Sequence, residues 1–239
     1  MCGAFVAALP ETWTAYPETA GFDLLLVRND GAQIGVEAKL SMNTRVVAQI
    51  IESRGSQGVG PDYRAILVPS RQRSEIDVVT DYLGITVITI DPRPHWRRVG
   101  DRHEFTPPLP GGSWSHDSWH EQMPTRRCDL PEYVPDVAAG VPAPIKLTDW
   151  KIGALKIVAI MESRGFVTRS DFKALRVDHR RWTAPGNGWL ARDHDRGGYV
   201  AGKYLPDFKG HHPDVYRQIV ADAEKWMPGH QIITAGAAA

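Results

Sequence analysis

The feature that most constrains the fold is a pair of short apolar runs, residues 22–28 and 33–40, that flank Asn29-Asp30-Gly31. Asn-Asp-Gly between two such runs favours a β-hairpin, because these residue types accept the left-handed backbone that a tight turn requires. A three-residue loop with Gly31 in the left-handed conformation is a common form of this hairpin. The sequence therefore predicts two antiparallel strands joined by a tight loop.

The length of this loop decides which polar side chains meet on the sheet. With three loop residues, Arg28 faces Ala32, and counting back along both strands places Asp23 opposite Glu37. Opposed residues project from the same face with Cβ atoms roughly 5 Å apart, and Lys39 shares that face because it lies two residues after Glu37. A two-residue loop would turn Asp23 to the other face. The expected register brings two carboxylates and one ammonium group together.

Short β-rich runs alternate with helical patterns along this part of the chain, which predicts a mixed α/β sheet domain with the element order βββαβαβ. Ser74 is suited to the N-cap of the second helix and Gly84 to its C-cap. The predicted strands are residues 13–16, 22–28, 33–40, 63–68 and 85–90, and the predicted helices are residues 44–53 and 74–83.

Proline density marks a change of structure in the middle of the chain. Eight of the 18 prolines lie between Pro107 and Pro144, a density that sustains neither helix nor central strand. We expect a linker or wrapping arm over residues 107–144. It divides the chain into an α/β domain, residues 1–106, and a smaller C-terminal domain, residues 145–239.

The C-terminal domain is predicted to contain three short helices followed by a β-hairpin, which is the order of a winged helix-turn-helix module. Apolar spacing and capping residues indicate the helices, and glycines with flanking apolar residues favour the hairpin. The expected elements are a helix from Thr148 or Asp149 to Gly165, a helix over 171–175 capped by Thr168 or Ser170, a helix over 178–182, a hairpin over 186–200 and a last helix from Pro213 to Trp226.

Asp23 and Glu37 are carboxylates in otherwise apolar strands. Burying carboxylates side by side is unfavourable unless a cation compensates, and Mg²⁺ or Mn²⁺ prefers oxygen ligands of this kind. Such a metal activates water and stabilises the transition state of phosphodiester hydrolysis, while Lys39 neutralises developing charge or orients the nucleophile. The alternative interpretation makes Glu37 and Lys39 the solvent face of an alternating strand and Asp23 a polar residue at a strand edge.

These residues resemble the PD-(D/E)XK nuclease superfamily, in which an Asp in or at the end of one strand precedes Glu-X-Lys in the next. Asp23 matches the first motif and Glu37-Ala38-Lys39 the second, and the resemblance covers residues 13–91 with their order of strands and helices. Phe22 stands where the proline of the family name would be. The resemblance implies a restriction-endonuclease-like fold of the α/β class.

The resemblance also implies roles for individual residues. Asp23, Glu37 and the Ala38 carbonyl would bind the metal, and Lys39 would be the catalytic lysine. Gln49 is similar to the helix glutamine of the RecB-like branch and would assist, and Glu18, or Glu11 in its place, would be an extra upstream acid. The alternatives are an ordinary polar residue on an amphipathic helix for Gln49 and a turn or cap acid for Glu18.

The two parts of the chain differ in charge. Residues 1–144 hold 13 Lys+Arg against 18 Asp+Glu, whereas residues 145–239 hold 15 against 10. A basic part points to a polyanionic partner, and helix-turn-helix modules place basic side chains on phosphates. A solvated basic surface or a dimerisation module is the alternative. The candidates for nucleic-acid contact are Arg169, Lys173, Arg180 and Arg181.

These patterns predict a cytoplasmic Mg²⁺-dependent nuclease with DNA as the expected substrate, and paired strand cleavage would favour a homodimer. No apolar run reaches the roughly 18–20 residues that cross a bilayer, and no basic residues precede the first apolar stretch, so neither a membrane span nor a secretory signal is expected. By resemblance, such two-part chains suit phage, mobile-element, restriction or repair settings. The alternative is a catalytically silent nuclease-fold protein that binds DNA or a protein partner through its C-terminal module.

Overall fold

The structure is a computed structural model that describes residues 1–52, 58–90, 105–111, 118–136 and 147–227. The chain divides into two compact units. Among the described residues, the first unit holds Met1–Leu130, and the second holds Pro131–Asp136 with residues 147–227. The segment expected as a linker is thus shared: its described residues up to Leu130 belong to the first unit and Pro131–Asp136 to the second, and the rest of it lies outside the described residues.

The first unit is built on a six-stranded mixed sheet with the strands in chain order. The first three strands are antiparallel neighbours, the third to fifth run parallel, and the sixth is an antiparallel edge strand. The parallel steps are made through helices, as the predicted order βββαβαβ requires. The elements are α1 (Cys2–Ala7), β1 (Trp13–Pro17), β2 (Leu24–Arg28), β3 (Gln33–Ala38), α2 (Thr44–Glu52), β4 (Tyr63–Pro69), α3 (Glu75–Tyr82), β5 (Thr86–Ile90) and β6 (Phe105–Thr106).

The hairpin between β2 and β3 has the predicted three-residue loop. Leu24 pairs with Val36, and the N–H of Arg28 donates to the carbonyl of Ala32 at 2.8 Å. Gly31 has a φ of 87°, which only glycine adopts without steric strain, so it allows the chain to turn here. The strands are shorter than predicted, because β2 begins at Leu24 and β3 ends at Ala38.

Apolar side chains line both faces of the sheet. One face packs against α1, with Phe5, Leu26 and Ile34 among the buried residues. The other face packs against α2 and α3, with Ile50 and Ile66 in its core. Each fully buried side chain of this size contributes about 1.5–3 kcal/mol. Strands that are apolar on both faces leave few places for a charged group, so any buried charge in them needs a specific explanation.

The second unit joins helices to a β-hairpin. Thr148 caps its first helix by accepting the N–H of Lys151 at 3.3 Å, and Gly165, with a φ of 87°, ends it, as predicted. Thr168 caps the second helix. The hairpin also forms, and the expected last helix is divided at Asp222. The elements are α4 (Asp149–Arg164), α5 (Arg169–Ala174), β7 (Leu190–Asp193), β8 (Gly198–Ala201), α6 (Phe208–His211), α7 (Pro213–Ala221) and α8 (Ala223–Trp226).

The prediction of a helix over residues 178–182 is wrong. The Asp178 carboxylate accepts the backbone N–H of Arg180 at 2.9 Å, and the N–H of Trp182 donates to the carbonyl of His179 at 3.0 Å, so the segment forms turns. An aspartate that bonds to nearby backbone competes with helix formation in this way. Within residues 147–227, two helices and not three therefore precede the hairpin. Within the described residues of both units, no helix combines the length and apolar character that a bilayer crossing needs.

Candidate functional site

Asp23, Glu37 and Lys39 converge beside the β2–β3 hairpin. The register that pairs Leu24 with Val36 puts Asp23, the residue before β2, next to Glu37 on β3. The Lys39 ammonium Nζ lies 3.0 Å from Asp23 Oδ2 and 3.3 Å from Glu37 Oε2. Two carboxylates thus share one cation, in the arrangement that the loop count predicts.

Two further contacts fix the carboxylates. The backbone N–H of Ala38 donates to Asp23 Oδ2 at 2.8 Å, which ties Asp23 to the end of β3. Gln49 donates from Nε2 to Glu37 Oε2 at 2.6 Å. Gln49 reaches Glu37 because α2 buries Val46 and Ile50 against the same face of the sheet. The structure therefore brings the candidate helix glutamine to the carboxylates as well.

Burial dominates the electrostatics of Glu37, whose side chain is 0% exposed. Burial first, and the nearby negative charge of Asp23 second, raise the pKa of Glu37 to about 7, against the opposing effect of Lys39. Burial lowers the pKa of Lys39, but the hydrogen bond to Asp23 and the charges of Asp23 and Glu37 outweigh it, so the net shift is upward. One ammonium group thus only partly compensates two close carboxylates.

The residues present fit a hard divalent cation. Glu37 Oε1 is buried and has no hydrogen-bond partner within the described part of the chain. A buried, unpaired carboxylate oxygen is costly unless a ligand contacts it. No group of three or more His, Cys, Asp and Glu side chains that could hold a metal occurs among the described residues. Two carboxylates would therefore need the Ala38 carbonyl and water as further oxygen ligands.

Glu18 lies in the turn that leads into Asp23. Its backbone N–H donates to the Asp23 carbonyl at 3.0 Å, and its side chain is half-buried. Glu18 and Ala20 have φ angles of 53° and 54°, a region that residues with a side chain adopt at a cost. The strained turn positions Asp23, whereas Glu11, the alternative upstream acid, is exposed.

The four candidate residues for nucleic-acid contact occupy two different segments. Arg169 begins α5, and Lys173 is exposed on the same helix. Arg169 also contacts Tyr199 on β8. Burial raises the pKa of the Tyr199 hydroxyl, but hydrogen bonds from Arg169 and Arg192 outweigh this effect, so the pKa of Tyr199 is lowered. Arg180 and Arg181 are exposed in the turns that replace the predicted third helix, so they do not lie on a recognition helix.

Sequence reasoning missed Arg64, a buried arginine within β4. Its Nη1 donates to the carbonyl of Ile50 at 2.7 Å, near the end of α2, and its side chain lies over the Phe22 ring at 5.6 Å. Arg64 therefore holds the helix that carries Gln49. The available signal was one charged residue inside an apolar strand run, which also occurs at exposed positions.

Comparison with family models, with curated proteins and with solved structures found no match to this chain. The fold is a mixed α/β sheet unit with a second unit of helices and a hairpin. Within the first unit, Asp23, Glu37, Lys39 and Gln49 form the candidate site.

Proposed function

We propose that the chain is a Mg²⁺-dependent nuclease that hydrolyses phosphodiester bonds, with DNA as the expected substrate. The observation that carries the proposal is the meeting of Asp23 and Glu37 with Lys39 at one point, with Glu37 Oε1 buried and unpaired among the described residues. A purely structural acid at this position would be expected to satisfy both oxygens. A site that binds a cation leaves an oxygen available for it.

The residues of the candidate site would have different chemical roles. Asp23, Glu37 and the Ala38 carbonyl would hold Mg²⁺ or Mn²⁺, which when bound supplies positive charge to the phosphate and lowers the pKa of a water molecule. Lys39 carries a positive charge at the edge of the site, where it neutralises charge that develops on the phosphate or orients the attacking water. Gln49 keeps the Glu37 carboxylate in place through its 2.6 Å hydrogen bond.

The proposal also assigns each of the two units to a fold class. We assign the first unit to the restriction-endonuclease-like class and the second to a winged-helix-like class that contacts nucleic acid. The order βββαβαβ over β1 to β5 supports the first assignment. Two helices followed by the β7–β8 hairpin, with an additional bridge between Val167 and Tyr199, support the second.

A cleavage assay tests the proposed function. Single-stranded DNA, double-stranded DNA and RNA would each be incubated with the full chain and Mg²⁺, Mn²⁺ or EDTA. We expect metal-dependent products that Glu37→Ala and Lys39→Ala each reduce by at least about 100-fold, because Glu37→Ala removes a ligand of the metal and Lys39→Ala removes positive charge that stabilises the transition state. Glu121→Ala and Arg45→Ala, which alter exposed residues of the same unit, should cleave like the wild type.

Two results would contradict the proposal. One is the absence of cleavage of all three substrates with either metal, which would leave the silent binding protein as the better interpretation. The other is cleavage by Glu37→Ala at the wild-type rate, which would place the activity at a different site or in a contaminant.

A further inference from the structure

The second unit exposes aromatic side chains beside basic ones. Trp150, the second residue of α4, is 43% exposed, and Tyr204, which follows β8, is 49% exposed. Aromatic rings of this size are usually buried, because each one removed from water contributes to stability. A partly exposed ring next to a cation offers a flat face on which a ligand can stack.

The Trp150 ring packs on other aromatic side chains of the second unit. The Trp150 ring packs edge-to-face on Trp189 at 6.1 Å between centroids and on Phe208 at 5.8 Å. The N–H of Gly202 donates to the Trp189 carbonyl at 2.9 Å, which places the segment that carries Tyr204 next to Trp189 in the chain fold. The Trp150 ring is therefore anchored to a packed cluster, and a backbone hydrogen bond two residues before Tyr204 ties its segment to Trp189.

Two cations accompany the rings. The Arg181 guanidinium lies 5.5 Å from the Trp189 ring centroid, and Lys203 Nζ lies 4.6 Å from the Tyr204 ring centroid. Arg181, Lys203 and Tyr204 are all exposed. We call Trp150, Trp189, Tyr204, Arg181 and Lys203 the aromatic platform.

We propose that the aromatic platform binds single-stranded nucleic acid. Exposed rings stack on unpaired bases whatever the sequence, and the neighbouring cations contact the phosphates. Bases inside a duplex already stack on one another, so a duplex presents mainly its phosphates to such a surface. Residues 145–239 carry 15 Lys+Arg against 10 Asp+Glu, which suits a polyanion better than an acidic or neutral protein. The choice of nucleic acid as the occupant rests on the proposed function.

The test measures binding with cleavage switched off. Anisotropy of a fluorescein-labelled 15-nucleotide single strand would be titrated with the full chain in EDTA, where metal-dependent cleavage cannot occur. We expect Trp150→Ala and Tyr204→Ala each to weaken binding by about 10-fold, which corresponds to loss of one stacked base, and Tyr204→Phe to bind within about 2-fold of the wild type. Tyr82→Ala is the matched control, because Tyr82 is a 90% exposed aromatic residue of the first unit.

Thermal melting of each variant shows whether it folds, and Tyr204→Ala provides a test even if Trp150→Ala loses stability. The proposal is overturned if folded Tyr204→Ala binds the single strand as tightly as the wild type, or if a duplex of the same length binds more tightly than the single strand. A chain that binds no oligonucleotide in EDTA also overturns it. Cleavage that depends on Glu37 would in each case leave the proposed function standing.

Discussion

Glu37 and Asp77 are both acidic residues at buried positions, and their surroundings shift their pKa values in opposite directions. Burial raises the pKa of Glu37 to about 7, whereas hydrogen bonds from Arg71 above all lower the pKa of Asp77 to about 2. The Asp77 charge therefore stabilises the folded chain at neutral pH, and the Glu37 charge does not. A buried acid whose charge opposes folding is more simply explained by binding or catalysis than by structure.

The unpaired oxygen of Glu37 leads to a prediction about metal binding. Mg²⁺ at about 100 times its Kd should stabilise the wild type by about 2.7 kcal/mol, because the ion binds the folded site and not the unfolded chain. Glu37→Gln and Asp23→Asn should lose most of this gain, and Glu121→Gln should keep it. Thermal melts with Mg²⁺ and with EDTA measure the difference. Equal metal-induced shifts in all four proteins would show that the ion binds elsewhere.

Asp77 provides a prediction about pH. Its carboxylate accepts the N–H of Ser74 at 2.7 Å and pairs with Arg71, which together close the first turn of α3. Because the folded pKa is depressed, the contribution of Asp77 is present above the ordinary pKa of about 4 and is lost as the pH falls toward 2. We expect Asp77→Asn to lower the free energy of unfolding by about 1–2 kcal/mol at pH 7.

Urea unfolding at pH 7 and pH 3 measures this effect, with a smaller loss expected at pH 3. Asp81→Asn is the control, because Asp81 forms an exposed surface pair with Arg73 and should change stability by less than about 0.5 kcal/mol. A loss at pH 3 as large as that at pH 7 would show that Asp77 acts through shape and not through its charge.

Local hydrogen bonds decide which helices, strands and loops of this chain the sequence predicts correctly. The β2–β3 loop and the caps of α4 depend on residues close in the chain, and both were predicted. The same loop count also leads to the geometry of Asp23 and Glu37. The sequence also predicts a helix over residues 178–182, but the Asp178 side chain accepts the backbone N–H of Arg180 and the segment forms turns. The contact of Arg64 with α2 joins distant segments, so no local pattern reveals it.

The hydrogen bond from Arg64 to the Ile50 carbonyl holds the end of α2, and α2 carries Gln49. Arg64→Met keeps much of the apolar stem but removes the hydrogen bond to the Ile50 carbonyl at 2.7 Å, so the end of α2 should loosen. We expect cleavage to fall by about 10-fold and metal binding to weaken as well, since Gln49 then holds the Glu37 ligand less firmly. Hydrogen exchange of the α2 amides should speed up in parallel. Unchanged exchange alongside reduced cleavage would contradict this explanation.

Pro131–Asp136 belong to the second unit, although residues 137–146 separate them in sequence from its other described residues. Lys156 on α4 is buried and pairs with Glu132 at 2.7 Å, and Tyr133 belongs to the same core. The buried Asp136 contacts His212 Nδ1 at 2.9 Å. Proline density predicts a domain boundary at residue 145, because it shows where helices and strands stop. It does not show which hydrophobic core a short segment such as Pro131–Asp136 joins.

These contacts predict how fragments of the chain behave. A fragment of residues 131–239 should be more stable than one of residues 145–239 by at least about 3 kcal/mol, because the shorter one leaves Lys156 and His212 buried without their partners. Asp136 also accepts the N–H of Asp214 at 2.8 Å, so α7 loses its N-terminal partner as well. Urea unfolding followed by tryptophan fluorescence compares the two fragments, and Asp136→Asn in the longer one isolates the share of that carboxylate. Equal stability of the two fragments would mean that residues 131–136 contribute nothing to the second unit.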